Sequence, residues 1–200
     1  KFIRMKKNLF TAVILCFAVG VYAQKEVSAA ELISQISEGK NLSYENITIT
    51  GDIDVSKLGN ATETGKYPEN GKTVYVLSNF VKQPVYFKNC TFKGRLIFCY
   101  KTESNSEKRE YRVEFTDDVI FQYCTFERLV DFELTNFDKA VSFEGSVFKE
   151  QPRFVRMGLD QKPNLDRLKL DKGCLYQFDQ SKKQQVFTTQ KLEKIIGAMN

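Results

Sequence analysis

Four aspartates form the carboxylate groupings of this sequence that suggest catalysis. Asp117 and Asp118 are adjacent, and Asp138 and Asp160 lie 22 residues apart. Clustered carboxylates can cleave polysaccharides, so a carbohydrate-active enzyme using surface carboxylates is one interpretation. Aspartates in turns more often orient the backbone at corners. We therefore expect no catalytic residues.

The absence of one residue type narrows the chemistry further. The sequence contains no histidine, which removes Ser-His-Asp and Cys-His catalysis and most zinc chemistry. The cysteines beyond the N-terminal segment are Cys90, Cys99, Cys124 and Cys174, and they do not have the spacing of a metal site. The expectation is a protein without metal or cofactor.

Aromatic and basic residues in two polar segments are the candidates for binding instead. These residues are Tyr67, Tyr100, Lys101, Arg109 and Tyr111. A tyrosine ring offers an apolar face and a polar tip, so it can stack on a sugar or a peptide. Residue type is the basis of this prediction.

A regular series of phenylalanines, which we call the ladder, indicates the secondary structure that supports these candidate residues. Between Val119 and Phe154 a phenylalanine recurs at alternating spacings of 5 and 6, with a small or β-branched residue two positions earlier each time. Residues i and i−2 share one side of an extended chain, so each unit reads as a short strand burying one large and one small residue. The ladder holds eleven of the 17 phenylalanines: Phe87, Phe92, Phe98, Phe115, Phe121, Phe126, Phe132, Phe137, Phe143, Phe148 and Phe154.

The alternating spacings of 5 and 6 sum to 11 residues, and some helices also have an 11-residue repeat. The composition argues against a helix, because the units are rich in Phe, Val, Thr and Cys and are separated by Gly-Asp, Gly-Ser and Asn turns. A solenoid of short parallel strands is favoured.

The stretch "VIFQYCTFERLVDFELTNFDKAVSFEGSVFKE" resembles the phenylalanine-centred variety of the pentapeptide-repeat proteins. The resemblance covers about Leu42 to Tyr176 and implies an all-β fold, a right-handed quadrilateral parallel β-helix. Two 11-residue pairs make a coil of 22 residues, so the segment holds about five coils, a rod on the order of 25 Å long. Family members that inhibit gyrase imitate DNA with an acidic face, and the charge of this chain does not support that role.

The N-terminal segment predicts export. Residues 1–23 read as a signal peptide, with 1–4 as an upstream remnant and cleavage after Ala23; a retained membrane anchor is the alternative. Removal changes the formal charge from +5 to about +1, because four of the 30 basic residues leave while all 25 acidic residues remain. We expect no nucleic-acid partner, no integral membrane segment after signal removal, and a periplasmic or extracellular location in a bacterium.

Helices are predicted on both sides of the solenoid. Residues 24–41 are expected to form an N-terminal capping helix with Ser28 as N-cap, residues 42–178 the β-helix, and residues 179–200 a tail and a second helix. The C-terminal helix either caps the last coil or supplies a homodimer contact.

Two insertions, 56–73 and 99–112, interrupt the ladder. Both follow the third face of a coil, so they should leave the rod at the same corner, side by side, and the second reads as a β-hairpin. Insertions on one side of a solenoid are often where it binds. The sequence thus predicts a non-catalytic structural or interaction module of the cell envelope, with a protein or glycan as its unknown partner.

Smaller predictions concern cysteines and surface charge. Cys90 and Cys124 occupy the small position of the second face in successive coils, as buried filler or, alternatively, as a disulfide; Cys99 is expected to be an outward-facing thiol. Charges alternate in sign between coils along the second face, which predicts a wall of paired, solvated residues: Lys93, Glu127, Lys149 and Asp171, and then Arg128, Glu150 and Lys172.

Overall fold

The computed structural model describes residues 24–177 and 185–197, so the predicted signal peptide lies outside the described residues. These residues form two α-helices, α1 (Ala29–Ser37) and α2 (Thr189–Gly197), and a 3₁₀ helix, Val55–Lys57. The strands in chain order are β1 (Lys25–Ser28), β2 (Leu42–Glu45), β3 (Ile47–Thr50), β4 (Ile53–Asp54), β5 (Thr62–Glu69), β6 (Lys72–Val81), β7 (Val85–Lys88), β8 (Thr91–Phe92), β9 (Leu96–Ile97), β10 (Tyr100–Glu103), β11 (Glu107–Phe115), β12 (Val119–Gln122), β13 (Thr125–Phe126), β14 (Val130–Asp131), β15 (Asn136–Phe137), β16 (Val141–Ser142), β17 (Val147–Phe148), β18 (Arg153–Val155), β19 (Gly158–Leu159), β20 (Lys169–Leu170), β21 (Cys174–Gln177) and β22 (Gln185–Phe187).

The strands assemble into four sheets, one for each face of a β-helix. The first face has the order β16-β12-β7-β2, the second β1-β3-β8-β13-β17-β20, the third β22-β21-β18-β14-β9-β4, and the fourth β19-β15-β11-β6-β5 with β10 also paired to β11. Pairing is parallel except between β5 and β6, β10 and β11, and β21 and β22. Each turn of the chain therefore adds one strand to each face.

The pairing register follows the predicted 22-residue period. Val119 pairs with Val141 on the first face, and Thr125 pairs with Val147 on the second. Where an insertion intervenes the offset grows, so that Val85 pairs with Val119. The insertions thus leave the coils in register.

The phenylalanine ladder fills the interior. Phe126, with no exposed surface, stacks between Phe92 and Phe148, with ring centroids 4.9 and 4.5 Å away and ring planes within 16°. Neighbouring columns meet edge to face, as Phe121 and Phe126 do at 5.4 Å and 73°. Offset-stacked and edge-to-face pairs are the arrangements that aromatic rings prefer, and burial of each side chain contributes roughly 1.5–3 kcal/mol. The ladder residues have a packing role.

The corners require left-handed backbone. At the corner between the first and second faces, five residues have φ between 52° and 64°: Asn46, Asn89, Tyr123, Gly145 and Arg167. Leu134 and Arg156 do the same at the corner between the third and fourth faces, with φ of 58° and 51°. Non-glycine residues seldom adopt a positive φ. The geometry of the coil therefore imposes this backbone conformation on corner residues of several types.

The N-terminal helix is shorter than predicted. Residues 24–41 were expected to be helical, but Lys25–Ser28 is a strand that pairs with β3, because it continues the second face. Helix α1 begins after Ser28, whose hydroxyl accepts a hydrogen bond from the Glu31 N–H, as expected of an N-cap. Leu32 of α1 is 1% exposed and joins the core.

Helix α2 also contributes to the core, through Leu192, which is 1% exposed. The side chains of Ile195, Ile196 and Met199, on which its predicted apolar face depends, lie outside the described residues. Within 24–177 and 185–197, neither helix has the length and apolar character needed to cross a bilayer.

A candidate binding surface on the two insertions

The first insertion forms a hairpin rather than a loop. Strands β5 and β6 pair from Thr62 and Ser78 to Glu69 and Lys72, with a bulge after Glu63. The turn residues Asn70 and Gly71 have φ of 51° and 76°, the two positive values that a type I′ turn needs. The Asn70-Gly71 pair is the sequence signal for this hairpin, which was not predicted.

The second insertion forms a hairpin from β10 and β11, in register from Tyr100 and Tyr111 to Glu103 and Lys108. Its strand β11 runs parallel to β6 over nine residue pairs, from Glu107 with Thr73 to Phe115 with Val81. The two insertions are therefore joined in one sheet with the order β5-β6-β11-β10, which we call the hairpin sheet. At its base, β6 and β11 continue into the fourth face of the β-helix.

Alternation along the strands gives the hairpin sheet two unlike sides. The inner side is the one shared with the core residues Val113 and Phe115, and it carries Leu77, Tyr100, Arg109 and Tyr111. The outer side carries Tyr67, Lys101, Lys108, Glu110 and Arg112. The candidate binding residues named from the sequence are thus divided between two sides, because Tyr67 and Lys101 face away from Tyr100, Arg109 and Tyr111.

A pocket of about 370 Å³ lies on the inner side. The Tyr100 and Tyr111 rings face it with centroids 5.8 Å apart and planes tilted by 38°. The Lys57 ammonium lies 4.5 Å from the Tyr100 ring centroid and 2.9 Å from the Asp54 carboxylate. The pocket is lined by Ser56, Lys57, Gly59, Ala61, Leu77, Tyr100 and Tyr111. It is within the size range of small-molecule sites, about 300–1,000 Å³.

Glu110 is the central side chain of the outer side. It is fully buried, accepts hydrogen bonds from Arg112 at 2.8 Å and Tyr67 at 3.3 Å, and lies 3.6 Å from the Lys108 ammonium. Burial works against its ionisation, but the hydrogen bond and charge of Arg112 outweigh burial and lower its pKa. Lys108 also pairs with Glu69 at 2.5 Å, which links the two hairpins.

A second group of charges ties the hairpin sheet to the following coils. Glu133 accepts hydrogen bonds from Lys101 at 2.5 Å, Arg156 at 2.5 Å and Arg153 at 2.6 Å. Burial opposes the charge of Glu133, yet its hydrogen bonds from Lys101 and Arg156 lower its pKa to about 2. The neighbouring Asp131, paired with Arg153 at 2.6 Å, has a pKa raised by burial. Lys101 therefore has a fixed structural partner.

The four aspartates of the enzyme interpretation lie at corners. The Asp117 carboxylate accepts from the Asp118 N–H and pairs with Lys139, each at 2.9 Å, and these hydrogen bonds lower its pKa. Asp118 accepts from the Ala140 N–H at 3.2 Å. Asp138 and Asp160 are exposed and follow the fourth-face strands. In the described part of the chain, no three His, Cys, Asp or Glu side chains cluster in a way that could hold a metal ion.

The cysteine alternatives resolve in favour of packing. Cys90 and Cys124 are buried and free, so the structure does not contain the disulfide that the sequence left open. Both thiols point towards backbone carbonyls, Cys90 to Lys88 at 3.2 Å and Cys124 to Phe87 at 3.4 Å, and stacked residues of parallel strands seldom meet disulfide geometry. Cys99, expected to be an outward thiol, is half-buried, which raises its pKa to about 12.

Two of the predicted second-face charge pairs form between coils, whereas Lys93 pairs with Glu26 of β1 instead of Glu127. Lys149 lies 3.2 Å from Glu127, and Arg128 lies 3.2 Å from Glu150. These pairs are largely exposed to solvent, so they contribute little stability. They form part of a solvated surface.

Comparison with known proteins gives one result. Residues 111–157 match the family model for pentapeptide repeats, which is described as having 9 copies. Neither the curated proteins nor the solved structures contain a match. The matched segment runs from the second hairpin through the most regular part of the phenylalanine ladder.

Proposed function

We propose that this pentapeptide-repeat protein is a non-catalytic interaction module that binds a partner on the inner side of the hairpin sheet. The observation that carries the proposal is the joining of two insertions, separate in sequence, into one sheet that covers a pocket. A loop that is merely tolerated has no need of this arrangement. Pentapeptide-repeat proteins are in general not enzymes, and Asp117 and Asp118 serve corner hydrogen bonds.

The ion pairs that hold the hairpin sheet in place support a binding role. On the outer side, the ion pair between Lys101 and Glu133 attaches the hairpin sheet to the coils. The ion pair between Lys108 and Glu69 joins the two hairpins. A surface that is fixed before it binds loses less conformational entropy on binding. The ion pairs thus support the inner side as a preformed face.

One of its two edge strands, β5, disfavours binding by strand addition. Strand β5 carries Pro68 and a bulge between Glu63 and Gly65, and both features interrupt the row of hydrogen-bonding groups that an added strand needs. Binding through side chains of the inner side is therefore favoured over extension of the sheet at β5.

We also propose that the protein is exported from a bacterial cell, to the periplasm or beyond. Strand β1 begins at Lys25, so cleavage after Ala23 would leave it intact. Helices α1 and α2 act as caps in this proposal, because each places a leucine in the core. The right-handed winding, with about five coils, follows from the family resemblance.

An affinity pull-down from cell-envelope extract tests the binding role. Deletion of residues 102–110 would be a poor test, because it removes the buried Glu110. A Leu77→Lys substitution changes the inner side alone and places an ammonium opposite Glu63 on β5. The matched control is Ile120→Lys, at a similarly half-buried outward position on the first face.

We expect the unaltered protein and Ile120→Lys to capture the same envelope component and Leu77→Lys to lose it, with similar melting temperatures for all three. Equal capture by Leu77→Lys would show that the inner side does not bind the partner.

A further inference from the structure

The pocket beneath the hairpin sheet has the chemistry of a sugar site. We infer that it accepts one pyranose residue of a neutral glycan, held against the rings of Tyr100 and Tyr111. The inference rests on the proposed binding role of the inner side, and it adds the chemical class of the ligand.

The aromatic pair supplies the apolar part of such a site. With centroids 5.8 Å apart and planes tilted by 38°, the Tyr100 and Tyr111 rings do not stack closely on each other, and Tyr100 is 39% exposed. The face of an aromatic ring is negative, and the C–H groups on one face of a pyranose ring carry partial positive charge. The Lys57 ammonium lies over one face of the Tyr100 ring, so the apolar face of a sugar would contact the remaining exposed surface of the two rings.

Leu77 is the aliphatic part of the lining, from the strand next to β11. Leucine and tyrosine side chains together present a surface that excludes water from the apolar face of the ligand. Hydroxyls on the rim of a sugar ring then need polar partners at the pocket edge.

The polar groups at that edge indicate a neutral ligand. Lys57 is already paired with Asp54 at 2.9 Å, and Ser56 donates a hydrogen bond to the same carboxylate at 2.5 Å. A carboxylate ligand would have to compete with Asp54 for the ammonium. Sugar hydroxyls can accept hydrogen bonds from the remaining donors of Lys57, which lines the pocket, without separating the ion pair.

Small residues keep the pocket open. Gly59 has φ of 82°, and a Cβ built there would meet no atom within 4 Å. Ala61 also lines the pocket, at the entry to β5. A larger side chain at Ala61 would fill the space without removing a tyrosine, which provides a test independent of the rings.

Saturation-transfer NMR at millimolar ligand tests the inference. The probes are cellotriose, maltotriose, xylotriose and mannotriose as neutral sugars, trigalacturonate as an acidic one, and a proline-rich peptide as another ligand of aromatic pockets. We expect transfer to the C–H protons of at least one neutral sugar. Tyr100→Ala should weaken its binding about tenfold, and Ala61→Leu should abolish it.

Tyr123→Asn is the matched control. Tyr123 is also 39% exposed and lies under a cationic side chain, Arg167, at 5.2 Å, but it is on the corner between the first and second faces. Asparagine tolerates its positive φ, and binding should be unchanged.

Three outcomes overturn the inference: transfer to none of the neutral sugars, binding of trigalacturonate or the peptide alone, or equal loss in Tyr123→Asn. These outcomes leave the pull-down result on Leu77→Lys unaffected, so failure of the sugar site is distinguishable from failure of the binding role.

Discussion

Glu133 is a carboxylate at a corner of the solenoid that is buried and held by three cationic side chains. It follows the third face at a corner, where a sequence-based argument would leave it in solvent. The second hairpin folds over this corner and buries it with Lys101, and the next coil adds Arg153 and Arg156. A buried carboxylate with these partners remains ionised.

The lowered pKa of Glu133 makes part of the stability dependent on pH. Because its folded-state pKa falls from 4.5 to about 2, its ionised form contributes stability that is fully present above pH 4.5 and is lost as the pH falls towards 2. We expect Glu133→Gln to lower the free energy of unfolding by about 3 kcal/mol at neutral pH. The difference from the unaltered protein should shrink between pH 4.5 and 2 in urea titrations.

Glu127→Gln is the control for this prediction, because Glu127 pairs with Lys149 of the next coil in a solvent-exposed ion pair. Its effect should stay below about 1 kcal/mol at every pH. Asp131 has a pKa raised mainly by burial and also by the charge of Glu133, so Glu133→Gln should weaken its opposite pH dependence, whereas Glu127→Gln should not. A pH-independent deficit in Glu133→Gln would contradict the assignment of the charge.

The turn of the first hairpin is made by Asn70 and Gly71, both with positive φ. Gly71 has φ of 76°, and a Cβ there would meet nothing within 4 Å, so the cost of a side chain is conformational and not steric. Gly71→Ala should destabilise the hairpin by about 1 kcal/mol. Hydrogen exchange should be faster at β5 amides, while the third face keeps its protection.

Asn105→Ala, at the exposed tip of the second hairpin, is the comparison. Asn105 is not among the described residues with positive φ, so alanine should leave exchange in both hairpins unchanged. Unaltered exchange in Gly71→Ala would show that the turn does not determine the hairpin.

The same elements show what could be read from the sequence. The phenylalanine beat predicts the four faces and the common corner of the insertions, because one large residue per short strand must face the interior. The turn of the first hairpin was predictable from the Asn-Gly pair. The side of the hairpin sheet on which each residue lies was not predictable, since it depends on the register between β6 and β11, whose partners are more than thirty residues apart. The division of Tyr67 from Tyr100, and the role of Lys101, follow from that register together with the pairings of β5 with β6 and of β10 with β11.

At the scale of the whole molecule, stability should depend on position along the stack. Each coil of a solenoid contacts its neighbours only, and the hairpin sheet arises from the coils nearer the N-terminus, where β6 and β11 enter the fourth face. Loss of order in the last coil can therefore leave the hairpin sheet, the proposed binding surface, folded.

Two truncations of the second-face column separate these cases. Phe126 stacks between Phe92 and Phe148, whereas Leu170 pairs with Phe148 at the end of the described column. Phe126→Ala should cost about 3–5 kcal/mol and reduce exchange protection in every sheet. Leu170→Ala should speed exchange in β20 and β21 and leave β6 and β11 protected. Uniform loss of protection in Leu170→Ala would mean that the coils unfold as one unit, and binding by the hairpin sheet would then depend on the stability of the whole rod.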